Sequence, residues 1–426
     1  MKKIITLAFS LLFVGMNIYG QEVASTVVRC ATDEYMKKMF EANPALKVQR
    51  QKDELLVQQG VDRLNSSKSA QMIFTIPVVV HVVYRTASQN ISDAQVQSQI
   101  DALNEDFARL NADTVNTPAA FKPYARATNF RFCLAQQDTN GNPTNGIERR
   151  LTTTSSFSTN NGVKAYATGG LDAWDVNRYL NIWVCNMSGG ILGYGEFPLM
   201  SHTTTYGLVI QYNAFGRVGT LQATYNLGRT TVHEISHCFN LYHIWGDDGG
   251  TCGGSDYCPD TPNQGSENYG CRTYPYYDNC TTSGNGVMFM NYMDYSDDVC
   301  LNMFTTQQSF RMNSAMSQYY PTLLSSTACE APTTGISNID NYFNISAYPN
   351  PTDGIFNLDM FLTPSVIESL QLVVVDQTGR LILEEKLSSP AGQVHQLDLR
   401  NQPSGVYTLT VFNDKVKRTF KIALVH

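Results

Sequence analysis

Three of the seven histidines in this chain fall within one short segment, HEISHCFNLYH at 233–243. His233 and His237 are four residues apart, so on a helix their imidazoles project from the same face. Two imidazoles one turn apart can supply two corners of a tetrahedral zinc site. Glu234 is offset by about 100° from His233 on a helix, where its carboxylate can take the proton of a water without binding the metal. The segment therefore predicts a hydrolytic zinc site.

His243 can be the third ligand only if the chain turns sharply after the helix. In a continuing helix it would lie roughly 15 Å along the axis from His233, too far to share an ion. The turn needs a residue that tolerates positive φ, which is usually glycine, and asparagine is the next best choice. Asn240 stands where the turn should be. We therefore expect a positive φ at Asn240.

The sequence predicts strands and a helix that could form an α/β layer and hold such a site. The segments FTIPVVVHVVYRT, NFRFCLA, YLNIWVCNM and GLVIQY are typical of strands. A helix is predicted between the first two of them by the apolar stripe Val96, Ile100, Leu103, Phe107 and Leu110. From about 245 to 303 the chain is rich in Gly, Asp, Asn and Cys, and such a long irregular stretch needs disulfides or metals to hold it.

Composition and the N-terminus indicate an exported protein. The 426 residues favour two to three folded units, and a net charge of −7 without a basic cluster argues against nucleic acid or anionic membranes as main partners. Residues 1–20 have two lysines, an apolar run and small residues, which predicts a signal peptide. The alternative is a membrane anchor, but Gly15 and Asn17 interrupt the short run. No later stretch is apolar enough to span a bilayer. Export makes disulfides possible among the ten cysteines.

The histidine segment resembles the HExxHxxGxxH signature of the metzincin metalloproteases, with Asn240 where that signature has glycine. NYMDYSDD (291–298) resembles their Met-turn, and DTPNQ and FTTQQSFRM are similar to segments of the pappalysin family, including its ulilysin-like secreted enzymes. The resemblance covers roughly residues 28–329. It implies a metzincin catalytic domain with a twisted mixed sheet, an active-site helix and an irregular, disulfide-stapled C-terminal subdomain. It also implies a zinc-dependent endopeptidase with a single catalytic zinc.

The resemblance assigns roles to three residues of the Met-turn region. Met293 would form the hydrophobic floor beneath the metal, and Tyr295 would help to stabilise the tetrahedral intermediate. Asp298 would line the pocket for the residue after the scissile bond. Since a carboxylate in a partly desolvated pocket favours Arg or Lys, we expect cleavage on the N-terminal side of basic residues. The alternatives are a core methionine, a structural tyrosine and a solvated acid beside Asp297.

A calcium site is implied in GSDYCPDTP (254–262), because family members hold calcium in the matching segment. Oxygen ligands on an irregular loop suit that ion. The resemblance carries the site to Asp256, the carbonyl of Pro259 and Thr261. Acidic residues that merely face water are the alternative.

The same resemblance implies two disulfides, Cys252–Cys280 and Cys271–Cys300. It leaves five cysteines without an assigned partner: Cys133, Cys185, Cys238, Cys258 and Cys329. Cys238 directly follows His237, so we expect it to point away from the metal and to be structural.

The segment RCATDEY is similar to the family's latency segment, R-C-G-T, with Ala31 in place of glycine. A thiolate is a strong zinc ligand, so Cys30 on the metal would displace the catalytic water. Residues 21–70 would then be a propeptide whose switch is Cys30. A disulfide from Cys30 is the alternative. If the preference for basic residues holds, self-activation should cut just before Arg63 or Lys68.

The last segment of the chain resembles a secretion signal of another kind. AYPNPTDGIFNLDM, VVVDQTGRLI and PSGVYTLTVFNDKVKRTFKI are similar to the C-terminal sorting domain of the type IX secretion system, which carries proteins across the outer membrane. Alternating short strands predict a small all-β sandwich. A carbohydrate-binding or adhesive sandwich is the alternative.

The predicted organisation has five parts. They are a signal peptide (1–20), a propeptide (21–70), a metzincin catalytic domain (71–329), a linker (330–341) and a sorting domain (342–426). We expect a monomeric secreted or cell-surface endopeptidase whose partners are protein or peptide substrates and the type IX machinery. An inactive metzincin-like binding module and an adhesin are the two alternatives.

Overall fold

The computed structural model describes residues 27–66, 72–200, 203–332, 343–362, 369–388, 393–413 and 417–426. The expected signal peptide, Lys68 and most of the expected linker lie outside the described residues. Within the described residues, no helix combines the length and the apolar character needed to cross a membrane.

The described residues from 27 to 332 contain six α-helices and six strands. The helices are α1 (Thr32–Ala42), α2 (Pro44–Ser66), α3 (Asp93–Phe107), α4 (Arg229–Cys238), α5 (Thr306–Tyr319) and α6 (Pro321–Leu324). The strands are β1 (Phe74–Tyr84), β2 (Phe130–Leu134), β3 (Ile147–Leu151), β4 (Leu180–Cys185), β5 (Gly193–Gly195) and β6 (Gly207–Gln211). The α/β layer expected from the sequence is therefore present.

These strands form one mixed sheet in the order β2-β1-β4-β6-β5, with β3 also paired to β1. All pairings are parallel except that of the edge strand β5, which runs antiparallel to β6. Since strands of a parallel sheet are buried on both faces, the largely apolar sequence of β1 suits its central place. A Cβ at Gly195 would lie 2.5 Å from the backbone oxygen of Glu234, so glycine at this position lets β5 pack directly against α4.

The core lies between this sheet and the helices α3 and α4. Val80 of β1, Leu103 of α3 and Ile235 of α4 belong to one buried apolar cluster. Leu110 does not join it, contrary to the predicted stripe, and is 75% exposed. The reason is that α3 ends at Phe107 and Arg109 takes a φ of 53°, which turns the chain out of the helix.

Three disulfides hold the irregular regions. Two are Cys252–Cys280 and Cys271–Cys300, the pairs that the resemblance implied. The third joins Cys133 to Cys329 across 196 residues of sequence. The other four cysteines, Cys30, Cys185, Cys238 and Cys258, are buried thiols.

The C-terminal region consists of two antiparallel sheets. Its strands are β7 (Phe343–Tyr348), β8 (Ile355–Leu362), β9 (Ser369–Val375), β10 (Leu381–Ser388), β11 (Gln393–Asp398), β12 (Gly405–Phe412) and β13 (Lys417–Leu424). The sheet orders are β11-β8-β7 and β10-β9-β12-β13. Phe356 of the first sheet and Leu372 and Leu409 of the second lie in one apolar core. This region is therefore the expected β-sandwich.

Candidate active site

The three histidines of 233–243 converge on one point. The Nε2 atom of His237 lies 3.1 Å from that of His233 and 3.1 Å from that of His243, and the remaining pair is 3.2 Å apart. All three side chains are buried. Ligand atoms of a tetrahedral zinc site with bonds of 2.0–2.1 Å lie about 3.3–3.4 Å apart. The observed triangle is close to that spacing.

The turn that brings His243 back depends on Asn240, whose φ is 75°. This confirms the positive φ expected at that position. The backbone amide of Asn240 donates to the oxygen of His237 at 2.9 Å, and that of Leu241 donates to Ser236 at 2.9 Å, which closes the end of α4. Asparagine thus performs the conformational task for which glycine is usual.

The other ring nitrogen of each histidine has its own partner. Nδ1 of His233 is 2.7 Å from the oxygen of Tyr292, and Nδ1 of His237 is 2.8 Å from that of Leu241. Because a carbonyl only accepts, these Nδ1 atoms carry the hydrogen and their Nε2 lone pairs are free. Nδ1 of His243 lies 2.8 Å from the Asp247 carboxylate. Three lone pairs that face one another suit a cation, so the residues fit a metal.

Burial favours the neutral form of two of these imidazoles, the form that can bind a metal. It lowers the pKa of His237 to about 3 and that of His233 well below its usual value, so both stay unprotonated. At His243 burial acts in the same direction, but the carboxylates of Asp247 and Asp33 outweigh it and raise the pKa. A carboxylate behind an imidazole orients the ring and makes it a better ligand. Cys30 and the three histidines form a group whose ligand atoms all lie within 4.8 Å of one another.

Glu234 lies fully buried beside this cluster. Its Oε2 accepts hydrogen bonds from the Thr32 hydroxyl at 2.9 Å and the Cys30 thiol at 3.3 Å. Its Oε1 has no hydrogen-bond partner among the described residues. Burial raises the pKa of Glu234 to about 7, against the opposing hydrogen bonds from Cys30 and Thr32. A carboxyl with a pKa near neutrality can both take and return a proton.

Cys30 is a thiol at the metal-ligating cluster and is in no disulfide. The structure therefore rules out the disulfide that was its alternative explanation. Burial, with the Glu234 carboxylate adding to it, raises the pKa of this thiol to about 12. In this state the thiol donates its hydrogen to Glu234.

Asp298 and Arg29 form a buried ion pair next to the cluster. Nη2 of Arg29 lies 2.9 Å from Oδ1 of Asp298, and both side chains are fully buried. The other oxygen of Asp298 accepts from the amide of Leu227 at 2.9 Å and from that of Arg229 at 3.3 Å. Asp298 is therefore not a solvated loop acid. It is a carboxylate fixed at the start of α4 with one oxygen aimed at a guanidinium.

Tyr295 and Met293 belong to a turn that approaches the histidines. The Tyr295 ring centroid is 5.1 Å from that of His243 and 5.6 Å from that of His233. Burial raises the pKa of Tyr295, so its hydroxyl stays a donor. Met293 is fully buried in the main core. Since the carbonyl of the preceding Tyr292 accepts from His233, the turn is tied directly to the site.

The residues of the expected calcium site lie around one cavity. Asp256, Pro259 and Thr261 all line it. Asp256 is buried, and its Oδ2 accepts from the Thr261 hydroxyl at 2.8 Å. Burial raises the pKa of Asp256 to about 7. This carboxylate is not one of the acidic residues that merely face water.

Four polar residues at the site were not identified from the sequence. Asp247 supports His243, Thr32 binds Glu234, Arg29 binds Asp298, and Arg50 binds Asn240. A signal existed for Asp247, which follows His243 by four residues. It also existed for Arg29, the first residue of the RCAT segment. For Thr32 and Arg50 the pairing depends on how α1 and α2 dock, which no local pattern reveals.

Comparison with known proteins shows that the chain belongs to the pappalysin family of metalloproteases. Residues 167–317 match the peptidase family described as "Pregnancy-associated plasma protein-A". An "Extracellular metalloprotease" of Pyricularia oryzae is 31% identical over 301 residues, which are 69% of this chain and 90% of that protein. One of Sordaria macrospora is 40% identical over 145 residues, covering 33% of this chain and 49% of that protein. The protein is thus a metalloprotease, and the family implies a metal at the histidine cluster.

Two solved structures from Tannerella forsythia are similar to this one. Mature mirolysin in complex with a cleaved peptide has 49% sequence identity and a TM-score of 0.60, covering 63% of this chain and 100% of that chain. A promirolysin mutant has 44% identity and a TM-score of 0.66, covering 72% of this chain and 99% of that chain. Residues 346–425 match the family described as "Secretion system C-terminal sorting domain". The protein is therefore exported by the type IX route to the cell surface or beyond.

Proposed function

We propose that this protein is a zinc-dependent endopeptidase made as a latent precursor, with Glu234 as its general base. The observation that carries the proposal is the triangle of Nε2 atoms at 3.1–3.2 Å beside a buried carboxylate. His233, His237 and His243 would hold the ion. When bound, zinc acidifies a water and polarises the scissile carbonyl.

The chain's own groups then move the protons. Glu234 accepts the proton of the attacking water and delivers it to the leaving amine nitrogen, a role that suits a buried carboxylate directly beside the histidines. Its free Oε1 is the atom available for that exchange. Tyr295 keeps its proton and donates a hydrogen bond to the substrate carbonyl oxygen as negative charge grows there.

The substrate preference follows from Asp298. Its Oδ1 binds a guanidinium in this structure, and its Oδ2 is fixed by two backbone amides, so the carboxylate is organised for a cation before any substrate arrives. We infer that the residue after the scissile bond is Arg or Lys. A peptide library cleaved without enrichment of basic residues at that position would reject this specificity.

Latency follows from contacts that the leading segment, residues 21–70, makes with Asp298 and Glu234. In residues 21–70, which we assign as the propeptide, Arg29 fills the Asp298 pocket and Thr32 and Cys30 bind the Glu234 carboxylate. A substrate cannot reach these groups while that segment is in place. With zinc present, the Cys30 thiolate would be a ligand. Arg63, exposed in the last turn of α2, is a site for the activating cut. The catalytic domain is then 71–329, joined by the linker 330–341 to the sorting domain 342–426.

Calcium is the second ion that we propose. The side chains of Asp256 and Thr261 and the carbonyl of Pro259 would hold it, since they surround one cavity. A buried carboxylate without a cation is costly, and a bound calcium would lower the pKa of Asp256 from about 7. Calcium should therefore raise the melting temperature of the wild type more than that of Asp256→Asn.

The zinc proposal is tested by metal content and activity together. Matured wild type, without residues 21–70 and loaded with zinc, should contain about one zinc per chain, lose activity on chelation and regain it with zinc. In the same matured form, His237→Ala should lose the bound zinc, because two imidazoles remain of three. His395→Ala, in the C-terminal sandwich, is the matched control. A zinc content unaffected by His237→Ala would reject the site.

A further inference from the structure

After Arg29, Tyr35 is the second side chain of the leading segment, residues 21–70, that fills a pocket in residues 71–329. Tyr35 of α1 is only 3% exposed. Its hydroxyl donates to Oε2 of Glu196 at 2.8 Å and accepts from Nδ2 of Asn161 at 3.0 Å. Its ring centroid lies 4.9 Å from that of Tyr194. The pocket thus matches a phenol in both its ring and its hydroxyl.

The polar end of this pocket is electrically balanced. Lys164 Nζ lies 3.6 Å from Glu196 Oε2, and both side chains are buried. Lys164 also donates to the backbone oxygen of Thr205 at 2.8 Å, and the hydroxyl of Thr203 donates to the other Glu196 oxygen. A basic side chain in this pocket would be repelled by Lys164, and an acidic one would be repelled by Glu196. An uncharged group that both donates and accepts is the best match.

The pocket lies at the end of α4 opposite the Asp298 pocket. Glu196 directly follows β5, and a Cβ at Gly195 would come within 3.3 Å of the His237 Cβ, near the last turn of α4. Asp298 accepts from backbone amides at the first turn of that helix. Arg29 fills the pocket at the start of the helix and Tyr35 the one at its end, with Cys30 at the histidines between them.

We propose that the pocket of Asn161, Lys164, Tyr194 and Glu196 becomes a substrate subsite for a tyrosine side chain on the N-terminal side of the scissile bond. This inference rests on the proposed protease function, in which the leading segment departs and the Asp298 pocket takes the residue after the cut. Phenylalanine would fill the same volume, but it would leave the Asn161 amide without its hydroxyl acceptor and would remove one of the donors to Glu196. A buried polar group left unpaired is costly.

The test uses the zinc-loaded, matured enzyme and synthetic peptides with Arg after the scissile bond. The peptides differ only in carrying Tyr, Phe, Lys or Ala at one of the four positions before that bond. At one position kcat/KM should be roughly two- to tenfold higher for Tyr than for Phe, from the usual worth of a hydrogen bond, and lowest for Lys. Equal rates for Tyr and Phe at all four positions would overturn the subsite and leave the protease proposal standing. If no peptide were cleaved, the protease proposal itself would fail.

A variant of Asn161 tests whether the preference for Tyr over Phe arises in this pocket. Asn161→Gly removes the amide donor and suits the positive φ of 60° at that position. It should shrink the ratio of the Tyr to the Phe rate by at least half. Asn145→Gly, an exposed loop asparagine elsewhere, should leave the ratio unchanged. An unaltered ratio in Asn161→Gly would place the preference elsewhere and overturn the assignment. If this variant fails to fold, the peptide series measured with the wild-type enzyme still shows whether the preference for Tyr exists.

Discussion

Arg50 donates a hydrogen bond from Nη2 to Oδ1 of Asn240 at 2.8 Å. Helix α2 of the leading segment therefore contacts the turn that positions His243. The same turn is also held by Arg311, whose Nε donates to the backbone oxygen of Asn240 at 2.8 Å. The propeptide that we propose therefore contacts the metal-holding turn as well as the catalytic groups.

The first prediction concerns the backbone at Asn240. Asn240→Val should impair zinc binding, because a β-branched residue at a φ of 75° is strained by at least about 1–2 kcal/mol. Asn240→Gly should keep zinc, since glycine adopts that conformation freely. Zinc content after dialysis against a weak chelator is the measurement. If both variants retained zinc equally, positive φ would not be what holds His243 in place.

The second prediction concerns the docking of α2. Glu54 and Arg311 form a pair in which Arg311 is fully buried and two nitrogens contact the two carboxylate oxygens. Glu54→Gln should lower the free energy of unfolding of the precursor by about 3 kcal/mol, because the buried guanidinium loses its countercharge. Glu41→Gln, an exposed acid of α1, is the control. The free energy of unfolding of both variant precursors is measured with a denaturant. Equal decreases for Glu54→Gln and Glu41→Gln would show that the pair does not anchor α2.

The third prediction concerns Cys30. Cys30→Ala should give a precursor that is active before processing or one that is degraded during expression, because the proposed zinc ligand of the latent form is removed. Cys185→Ala, which alters a buried thiol of β4, should stay latent. Peptide cleavage is measured at once after purification, with the precursor length verified by mass spectrometry. A stable Cys30→Ala precursor as inactive as wild type would place latency in the other contacts.

The fourth prediction concerns Asp298. Asp298→Asn keeps an oxygen to accept from Leu227 and Arg229 but removes the charge that faces the guanidinium. For peptides with Arg after the scissile bond, kcat/KM should fall roughly ten- to hundredfold, the usual worth of a charge-assisted hydrogen bond. Peptides with Leu there should be much less affected. An equal loss for both peptides would mean that Asp298 acts only by holding α4.

The sequence predicted the features that depend on local spacing. The i, i+4 histidines, the turn at Asn240 and the long apolar β1 each follow from one segment and elementary geometry. The antiparallel sandwich follows in the same way from short alternating strands. Each of these features depends on a single segment of the chain, which is why the sequence alone can predict it.

Features that join distant segments could not be predicted in this way. Cys133 and Cys329 are 196 residues apart, and only the packed fold brings them together. The bond from Arg50 to Asn240 requires the docking of α2, and no local pattern around either residue predicts that docking. Leu110 extended a helical stripe in the sequence, but the turn at Arg109 ended it.

The most direct test of the central claim compares wild type with Glu234→Ala after both have been matured by the same added protease and loaded with zinc. Cleavage of a whole proteome is profiled for each, and zinc is measured in the same samples. We predict that both bind zinc equally and that only wild type cuts proteins, with Arg or Lys after the scissile bond. Equal cleavage by Glu234→Ala, with zinc bound in both, would contradict the assignment of Glu234 as the general base.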